Sequence, residues 1–531
     1  MRRLLFLLIA IMFTSGCASY DTTDLIVQPL KTAQELQTLR VQIKDDVSTL
    51  DPVFAITKEE RQICKLLYSG LVNLDSKTLQ IDQGIANKWK VSSDGKVYTF
   101  NLNKKARFHN NGSIKASDVK FSWQRAVFEN APEKYVFSNI IGYWDFVSGK
   151  SNDILGIKVI DDYTLEVVLV NPDSNFLMSL TGPVASIVDR YQVLNKPTEF
   201  GKVGSNAYPT VQPNGSGQFK LYEWVNHDHL TLGKNYSYFS AKPNIERLEF
   251  VNEINKETAL TDYTLGKIDC ALDVNQEDLL ANPSLKGEII FVPLSHIYYL
   301  RMDPIVIGDI RVRQALINAV DFKKMGLSLN TETLHHLTDI TNFLSNGNPI
   351  KNQNSVAYDT YKSSQLLVQA GYPSGKGLGI KLYYPKQVEL KATVSFLVAQ
   401  WGARGINVEA VPVNRQDLSA LKTSGTAGIY IDEWNAAVSS LEGFYYSQFS
   451  TAFGRGISTQ IDASIYDAGL SVNIADQNQK FAALQKSLED NFIIQPLFYE
   501  SMSVITKPWV NGLQGNKLGT FTFETVKILK H

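Results

Sequence analysis

The ten residues Leu4–Phe13 are continuously apolar, follow Met1-Arg2-Arg3 and run into Thr14-Ser15-Gly16-Cys17. A basic start, a short apolar stretch and small residues before a processing point are the signature of an export signal. The run is too short to stay in a bilayer as a spanning helix, which takes about 18 or more apolar residues. No later stretch approaches that length, so everything after residue 17 must bury its hydrophobic surface in a globular body. That body is large: 531 residues exceed one core, and about 100–200 residues per domain point to two to four domains. Hydrophobic residues at 44% and charged residues at 20% exclude disorder as the main state. Lys+Arg 52 against Asp+Glu 53 leaves a net charge of -1, so no global field favours nucleic acid or an anionic membrane surface. The three cysteines, Cys17, Cys64 and Cys270, exclude a disulfide-dense scaffold and a four-thiolate zinc module. In an oxidising compartment Cys64 and Cys270 pair only if their Cα atoms come within bridging distance.

The N-terminus resembles a bacterial lipoprotein signal. Ser15 and Gly16 stand where small residues precede the lipidated cysteine, Cys17 takes that cysteine's place, and Thr14 stands where Leu is usual. The resemblance implies a signal peptide over 1–16, lipidation of Cys17, and a polar tether over 17–38. Ala18 after the cysteine is not the Asp that retains some lipoproteins at the inner membrane.

From Leu39 the chain alternates strand-like and helix-like periods, the mark of a mixed α/β protein. Leu39–Ile43 alternates as a strand, and Lys58–Tyr68 reads as a helix closed by Ser69-Gly70. Asp94-Gly95 is a tight-turn signal that pairs Trp89–Val91 with Val97–Leu102. Residues 116–128 carry Val119, Trp123 and Val127 at helical spacing, with Ser117 as the expected N-cap. A strand pair is expected at Gln218–Glu223 and Leu230–Gly233, and separate strands at Glu288–Pro293 and Ile297–Met302. Asp309 should cap a helix over Ile310–Val320, with Arg311 and Arg313 on its outer face or in ion pairs between lobes. No 20–50-residue period repeats.

Several segments in one order resemble the solute-binding proteins of peptide and nickel ABC importers, with the oligopeptide-binding branch nearest. They are Leu50-Asp51-Pro52, Tyr68-Ser69-Gly70-Leu71, Asp94–Leu102, Phe108–Gly112, Ala116–Val119, Gly215–Phe219, Lys234–Tyr236, Gly266–Asp269, Asp309–Leu316, Leu366–Tyr372 and Lys507–Val510. The resemblance covers nearly all of 40–531. It implies a two-lobe, type II periplasmic-binding-protein-like α/β fold that closes on a ligand about a hinge near Ile297–Met302 and Asn491–Leu497. Lobe I would combine 39–60, 186–294 and 498–531; 61–185 would be its extra subdomain, and 295–497 would be lobe II. The implied activity is capture of oligopeptides or modified peptides and delivery to an ABC permease and its ATPase subunits, by a monomer on the periplasmic or outer face of the membrane. No enzyme activity, cofactor or nucleic acid is implied.

The same resemblance places the ligand against the backbone of Phe54, Ala55, Ile56 and Thr57, with plain core packing as the alternative for Phe54 and Ile56, and against Ile431–Ala437. Trp434 stands at the family's site Trp, with core packing as the alternative. Ala437 stands where peptide binders carry an Asp for the peptide's ammonium group, and a buried ammonium without a charged partner is costly. Asp432, Glu433 and Glu442 are the nearby carboxylates that could substitute, Asp432 sharing strand parity with Trp434; an exposed carboxylate is the plainer reading. Ile431 and Leu390 replace basic residues that meet the peptide's C-terminus, Lys422 keeps a charge at a third place, and Asn435 replaces one cysteine of a family pair.

Rival readings remain. Asn214-Gly215-Ser216-Gly217 lacks the spacing of a hydrolase elbow and reads as a structural turn. Gly375-Lys376-Gly377-Leu378-Gly379 lacks the context of a phosphate loop. His227 and His229 alternate onto one strand face and His335-His336 are adjacent, which keeps a metal-chelate or haem ligand open. A sensing or adhesion lipoprotein of the same fold is the other alternative.

Overall fold

The computed structural model describes residues 37–529 apart from 76, 196–199, 202–212, 253–255, 275–277, 280, 330, 332, 346–356, 387–389, 436–439 and 454–456. Cys17, the signal and nearly all of the tether therefore lie outside the described residues, as does Ala437. Among the described residues no helix is long and apolar enough to cross a membrane.

In chain order the main elements begin with β1 (Thr38–Ile43) and α1 (Lys58–Leu67). Next come β2 (Ala86–Val91), β3 (Val97–Leu102), α2 (Ala116–Phe128), β4 (Ile157–Asp161) and β5 (Thr164–Val168). The chain continues through β6 (Phe219–Val225), β7 (His229–Lys234), β8 (Arg247–Asn252), β9 (Cys270–Ala271) and the long β10 (Ile289–Met302). After α3 (Ile310–Asn318) come β11 (Leu334–His336), β12 (Gly379–Pro385), β13 (Asn407–Val413), α4 (Arg415–Thr423) and β14 (Ile429–Asn435). Helices α5 (Leu441–Phe449), α6 (Thr459–Gly469) and α7 (Ile474–Asp490) then lead to β15 (Ile494–Thr506).

One mixed sheet runs β13-β12-β14-β10-β15-β9-β1-β8-β7-β6, with β11 added to β15. Its two halves meet at β10 and β15, which pair antiparallel from Ile289↔Ile505 to Arg301↔Ile494. The two strands expected at 288–293 and 297–302 are one strand with a register shift between Pro293 and Ile297. Pro293 has no N–H to give the ladder, and the Ser295 N–H turns aside to the Lys517 carbonyl at 2.7 Å. A second sheet, β2-β3-β5-β4, holds the hairpin anticipated at Asp94-Gly95.

Separate hydrophobic cores form at the two ends of the long pair. Leu39, Val41, Leu67, Trp224 and Phe250 fill one. Phe100, Trp123, Phe137 and Leu165 fill a second, between α2 and the small sheet. On the far half of the large sheet, strand alternation sends Tyr298 and Leu300 into a core with Leu316, Leu382 and Trp401, and Ile297 and Tyr299 into another with Trp434, Phe444 and Phe481.

The recurring segments turn out to be joints of this scaffold. Asp51 of Leu50-Asp51-Pro52 receives both Arg125 terminal nitrogens, at 2.9 and 2.5 Å, and the buried pair ties α2 to the connection between β1 and α1. The Asp118 carboxylate reaches back to the Lys115 N–H at 2.9 Å, so α2 is capped from Lys115 and not, as expected, from Ser117. Gly215 and Gly217 pass so close to α1 that an added Cβ would sit about 2 Å from the Leu67 and Leu66 carbonyl oxygens. Ser216 is fully buried, its hydroxyl accepting the Ser69 N–H at 3.2 Å. The Phe108–Gly112 loop docks on the same turn: His109 N–H donates to Gly215 O at 2.7 Å and Asn110 N–H to Asn214 Oδ1 at 2.9 Å.

Around α3 the expected cap holds, and other expectations are corrected. Asp309 caps α3 through the Arg311 N–H at 2.9 Å and holds the exposed Arg311 side chain. Arg313, by contrast, is buried and donates to the carbonyls of Ile307 at 2.6 Å and Asn491 at 3.1 Å, so it ties loops together, with no ion pair among the described residues. His227 sits in the β6–β7 turn with φ +62°, off the strand face that His229 occupies. Cys64 and Cys270 are both free and fully buried, and burial pushes both thiols above their ordinary range.

Candidate ligand-binding site

Phe54–Thr57 leads directly into α1. Thr57 is its N-cap: its hydroxyl accepts the Glu60 N–H, and the Glu60 carboxylate returns to the Thr57 N–H, both at 3.2 Å. That capping box fixes the entry angle of the chain. With the cap in place, Ala55 points into the core at 3% exposure while Phe54 and Ile56 stand out at 37% and 57%. Two large apolar side chains presented side by side on a rigid turn cost hydration in the free protein and suit an apolar contact.

Across the sheet, β14 is flanked by β10 and β12. Ile431 and Leu390 are fully buried core residues. Asp432 and Lys422 face each other: Lys422 Nζ donates to the two carboxylate oxygens at 2.7 and 2.9 Å, and the side chains are 3% and 6% exposed. Tyr299 OH adds a bond to Asp432 at 3.1 Å. The expectation of an exposed Asp432 is therefore corrected. Its carboxylate is neutralised inside the fold, and the Lys422 charge expected for a ligand's carboxylate is used there as well.

Glu433 points to the opposite face. It accepts from His296 Nε2 at 3.2 Å and is bonded by Arg415, while His296 Nδ1 meets Glu500. Burial works against a charge on His296, but the two carboxylates outweigh it and push its pKa up to about 9. Tyr298 OH donates to Glu500 at 3.1 Å. The result is a charge cluster that joins β10, β14 and β15 to α4.

Trp434 is 7% exposed and packs edge-on against Phe444 with ring centroids 5.4 Å apart, a core position under α5. Asn435 ends β14 and is exposed. Glu442, the third nearby carboxylate, accepts from the amides of Asn175 at 2.8 Å and Gln477 at 3.5 Å. Sequence reasoning missed the column of rings near the β10 shift: His335 stacks on Tyr499 at 4.9 Å, Tyr499 on Phe343 at 4.6 Å, and Lys517 Nζ lies 4.2 Å from the Phe343 ring centre. The adjacent histidines at 335–336 were the only signal, and they read as a metal pattern.

Residues 80–455 match the model of the bacterial extracellular solute-binding proteins, family 5. The chain belongs to that family. This solute-binding protein is 25% identical over 497 residues to the probable deoxycholate-binding periplasmic protein YgiS of Escherichia coli (strain K12), with 90% of each chain covered. It is 26% identical over 525 residues to the periplasmic oligopeptide-binding protein OppA of the same strain, covering 94% of each. Among solved structures, the unliganded open form of the murein tripeptide binding protein MppA superposes with a TM-score of 0.80 at 23% identity, covering 94% of this chain and 98% of that one. The mixed α/β fold is thus that of the periplasmic binding proteins.

Proposed function

We propose that this solute-binding protein captures oligopeptides or modified peptides between two lobes and delivers them to an ABC permease and its ATPase subunits. Residues 39–60, 186–294 and 498–531 form lobe I with 61–185 as its extra subdomain, and 295–497 form lobe II. The carrying observation is the β10–β15 pair, which joins two halves of one sheet whose cores are separate. Such a ribbon bends at little cost in buried surface, and a ligand that contacts both lobes only when they close shifts the population toward closure. Phe54 and Ile56 meet the ligand from lobe I; Asn435 and the segment through Ala437 meet it from lobe II, with Ala55, Thr57, Glu433 and Trp434 holding those surfaces in place. Lipid on Cys17 keeps the monomeric protein at the outer or periplasmic face of its membrane. The OppA and MppA relatives support the peptide reading.

A second reading, a non-peptide solute, is favoured by one observation. Lys422 with Asp432, and Glu433 with His296, are paired within the protein, which leaves these charges satisfied without a zwitterionic ligand; the relative YgiS is named for deoxycholate.

Native mass spectrometry of protein purified without denaturation, with thermal-shift titrations of a mixed peptide library and of deoxycholate, separates the two. Copurifying peptides support the first reading and a single non-peptide mass the second. Binding of neither class refutes both. Phe54→Ala and Ile56→Ala should weaken the ligand that does bind while leaving the melting temperature of the free protein nearly unchanged, since both side chains are exposed.

A further inference from the structure

A cavity of about 620 Å³ lies between helices α6 and α7 and the loop at Pro304, and both Arg313 of α3 and Lys480 of α7 line it. Arg313 reaches it beside Asn491 at the end of α7, and Lys480 lies earlier on that helix, roughly 16 Å away along its axis. The two cations differ in what meets their charge. Lys480 Nζ is paired with Asp467 at 3.1 Å and Asp476 at 3.3 Å. Arg313 is 4% exposed and has no ion pair among the described residues. Its Nε donates to the Asn491 carbonyl and its Nη1 to those of Ile307 and Gly308, which leaves Nη2 as the nitrogen without a partner among the described residues. The acids whose field reaches it are engaged elsewhere: Asp309 holds Arg311, and Asp303 accepts the Ile305 N–H at 2.8 Å. The chain entering α6, Gly454-Arg455-Gly456-Ile457, contains no acid. A guanidinium buried without a counter-charge is costly, and burial lowers its pKa accordingly.

The second observation is the first turn of α6, which borders the same space. Ser458 caps it through the Ile461 N–H at 3.3 Å, and Ser458, Gln460 and Ile461 all line the cavity. The N–H groups of Thr459 and Gln460 precede the first intrahelical bond, at the end of the helix where its dipole is positive. The start of an 11-residue helix and a buried cation with one free nitrogen thus converge on one cavity, and both suit an oxyanion. The floor is apolar: Leu484, Leu488 and Ile493 are buried there, with Ile461 beside them. A bare oxyanion would leave most of that floor uncovered, whereas an aliphatic chain attached to it would cover the floor and gain from the burial.

We propose that this cavity is a second binding site, for a carboxylate that carries an aliphatic body: Arg313 Nη2 and the first turn of α6 hold the head, and Ile461, Leu484 and Leu488 meet the chain. It shares no residue with the ten that the sequence assigns to the ligand cleft. A medium-chain fatty acid has that chemistry.

Arg313 itself ties loops together, so the test changes Ser487, which is exposed, lines the cavity and lies one turn before Asn491 on α7. Calorimetric titration of the full chain uses octanoate as the probe, with acetate and 1-octanol as the head and the body alone. Saturable octanoate binding is expected, at least tenfold tighter than either part. Ser487→Glu puts the chain's own carboxylate beside the guanidinium and should weaken octanoate at least tenfold, with circular dichroism unchanged and the melting temperature no lower. Ser487→Gln, of the same size without the charge, should bind as the parent does, and Phe54→Ala should leave the affinity intact. The proposal is overturned by absence of saturable octanoate binding, by acetate or 1-octanol binding as tightly, or by parent affinity in Ser487→Glu. Equal loss in Ser487→Gln also overturns it, because charge would then play no part, as does loss in Phe54→Ala, which would put octanoate in the cleft.

Discussion

Replacing Lys422 by Met removes one member of a buried pair and leaves the Asp432 carboxylate, 3% exposed, with the Tyr299 hydroxyl and the Glu433 N–H to meet it among the described residues. Breaking such a pair from one side costs about 3–5 kcal/mol, because the uncompensated charge, not the lost bond, dominates. Asp432→Asn alone should cost a similar amount by stranding the ammonium. The double variant Lys422→Met/Asp432→Asn buries no charge, keeps an acceptor for Tyr299, and should return to within about 1–2 kcal/mol of the parent. Native-state hydrogen exchange of the β10 and β14 amides reads this part of the sheet by itself. At about 1.4 kcal/mol per tenfold, each single variant should exchange roughly a hundredfold to several thousandfold faster there. Exchange in Lys422→Met within a few-fold of the parent would refute the reasoning: it would mean that water, or an open cleft, already solvates the pair and that these charges are available to a ligand.

The His296 imidazolium, with pKa about 9 when folded and near 6.5 when unfolded, stabilises the fold fully below pH 6.5 and loses that contribution as pH rises through 9. The difference corresponds to on the order of 3 kcal/mol, so urea midpoints should fall between pH 6.5 and 9.5, and a flat profile would count against the cluster. On the acid side, burial holds His109 down at about 4, so its contribution is present above 6.5 and fades as pH falls toward 4; His109→Gln should flatten that limb. Trp434→Ala should cost about 3–5 kcal/mol by opening a cavity against Phe444, seen as a large drop in melting temperature; binding lost at unchanged stability would instead return Trp434 to the cleft wall. Cys64 and Cys270 should resist a thiol reagent in the native protein and react only after denaturation, with reductant leaving the melting temperature unchanged.

Local signals carried much of this fold. The Asp94-Gly95 hairpin, the Asp309 cap and the alternation of β1 depend on neighbours within a few residues, and the chain shows them directly. Arg313 was misjudged because its helix alone presents it outward, whereas the loop ends at Ile307 and Asn491, distant in sequence, supply carbonyls that bury it. The site was legible in the same uneven way. The exposed pair Phe54 and Ile56 rests on the Thr57–Glu60 cap, a local pattern that the reading of Phe54–Thr57 as a ligand segment did not use. The mutual neutralisation of Lys422 and Asp432 depends on how α4 packs over β14, and no spacing in the sequence encodes that. The stacked rings of His335, Tyr499 and Phe343 come from three separate elements, and the adjacent histidines at 335–336 point in sequence to a metal rather than to a stack.

The docking of Phe108–Gly112 on Asn214–Gly217 has a consequence for anyone exchanging parts between relatives. The two segments are one joint: His109 and Asn110 grip the backbone and side chain of a turn whose glycines leave no room for a Cβ against α1. A graft that moves residues 61–185 alone would bring half of that joint and seat it on a foreign counterpart. The transplantable unit is discontinuous, and it includes the turn more than a hundred positions downstream.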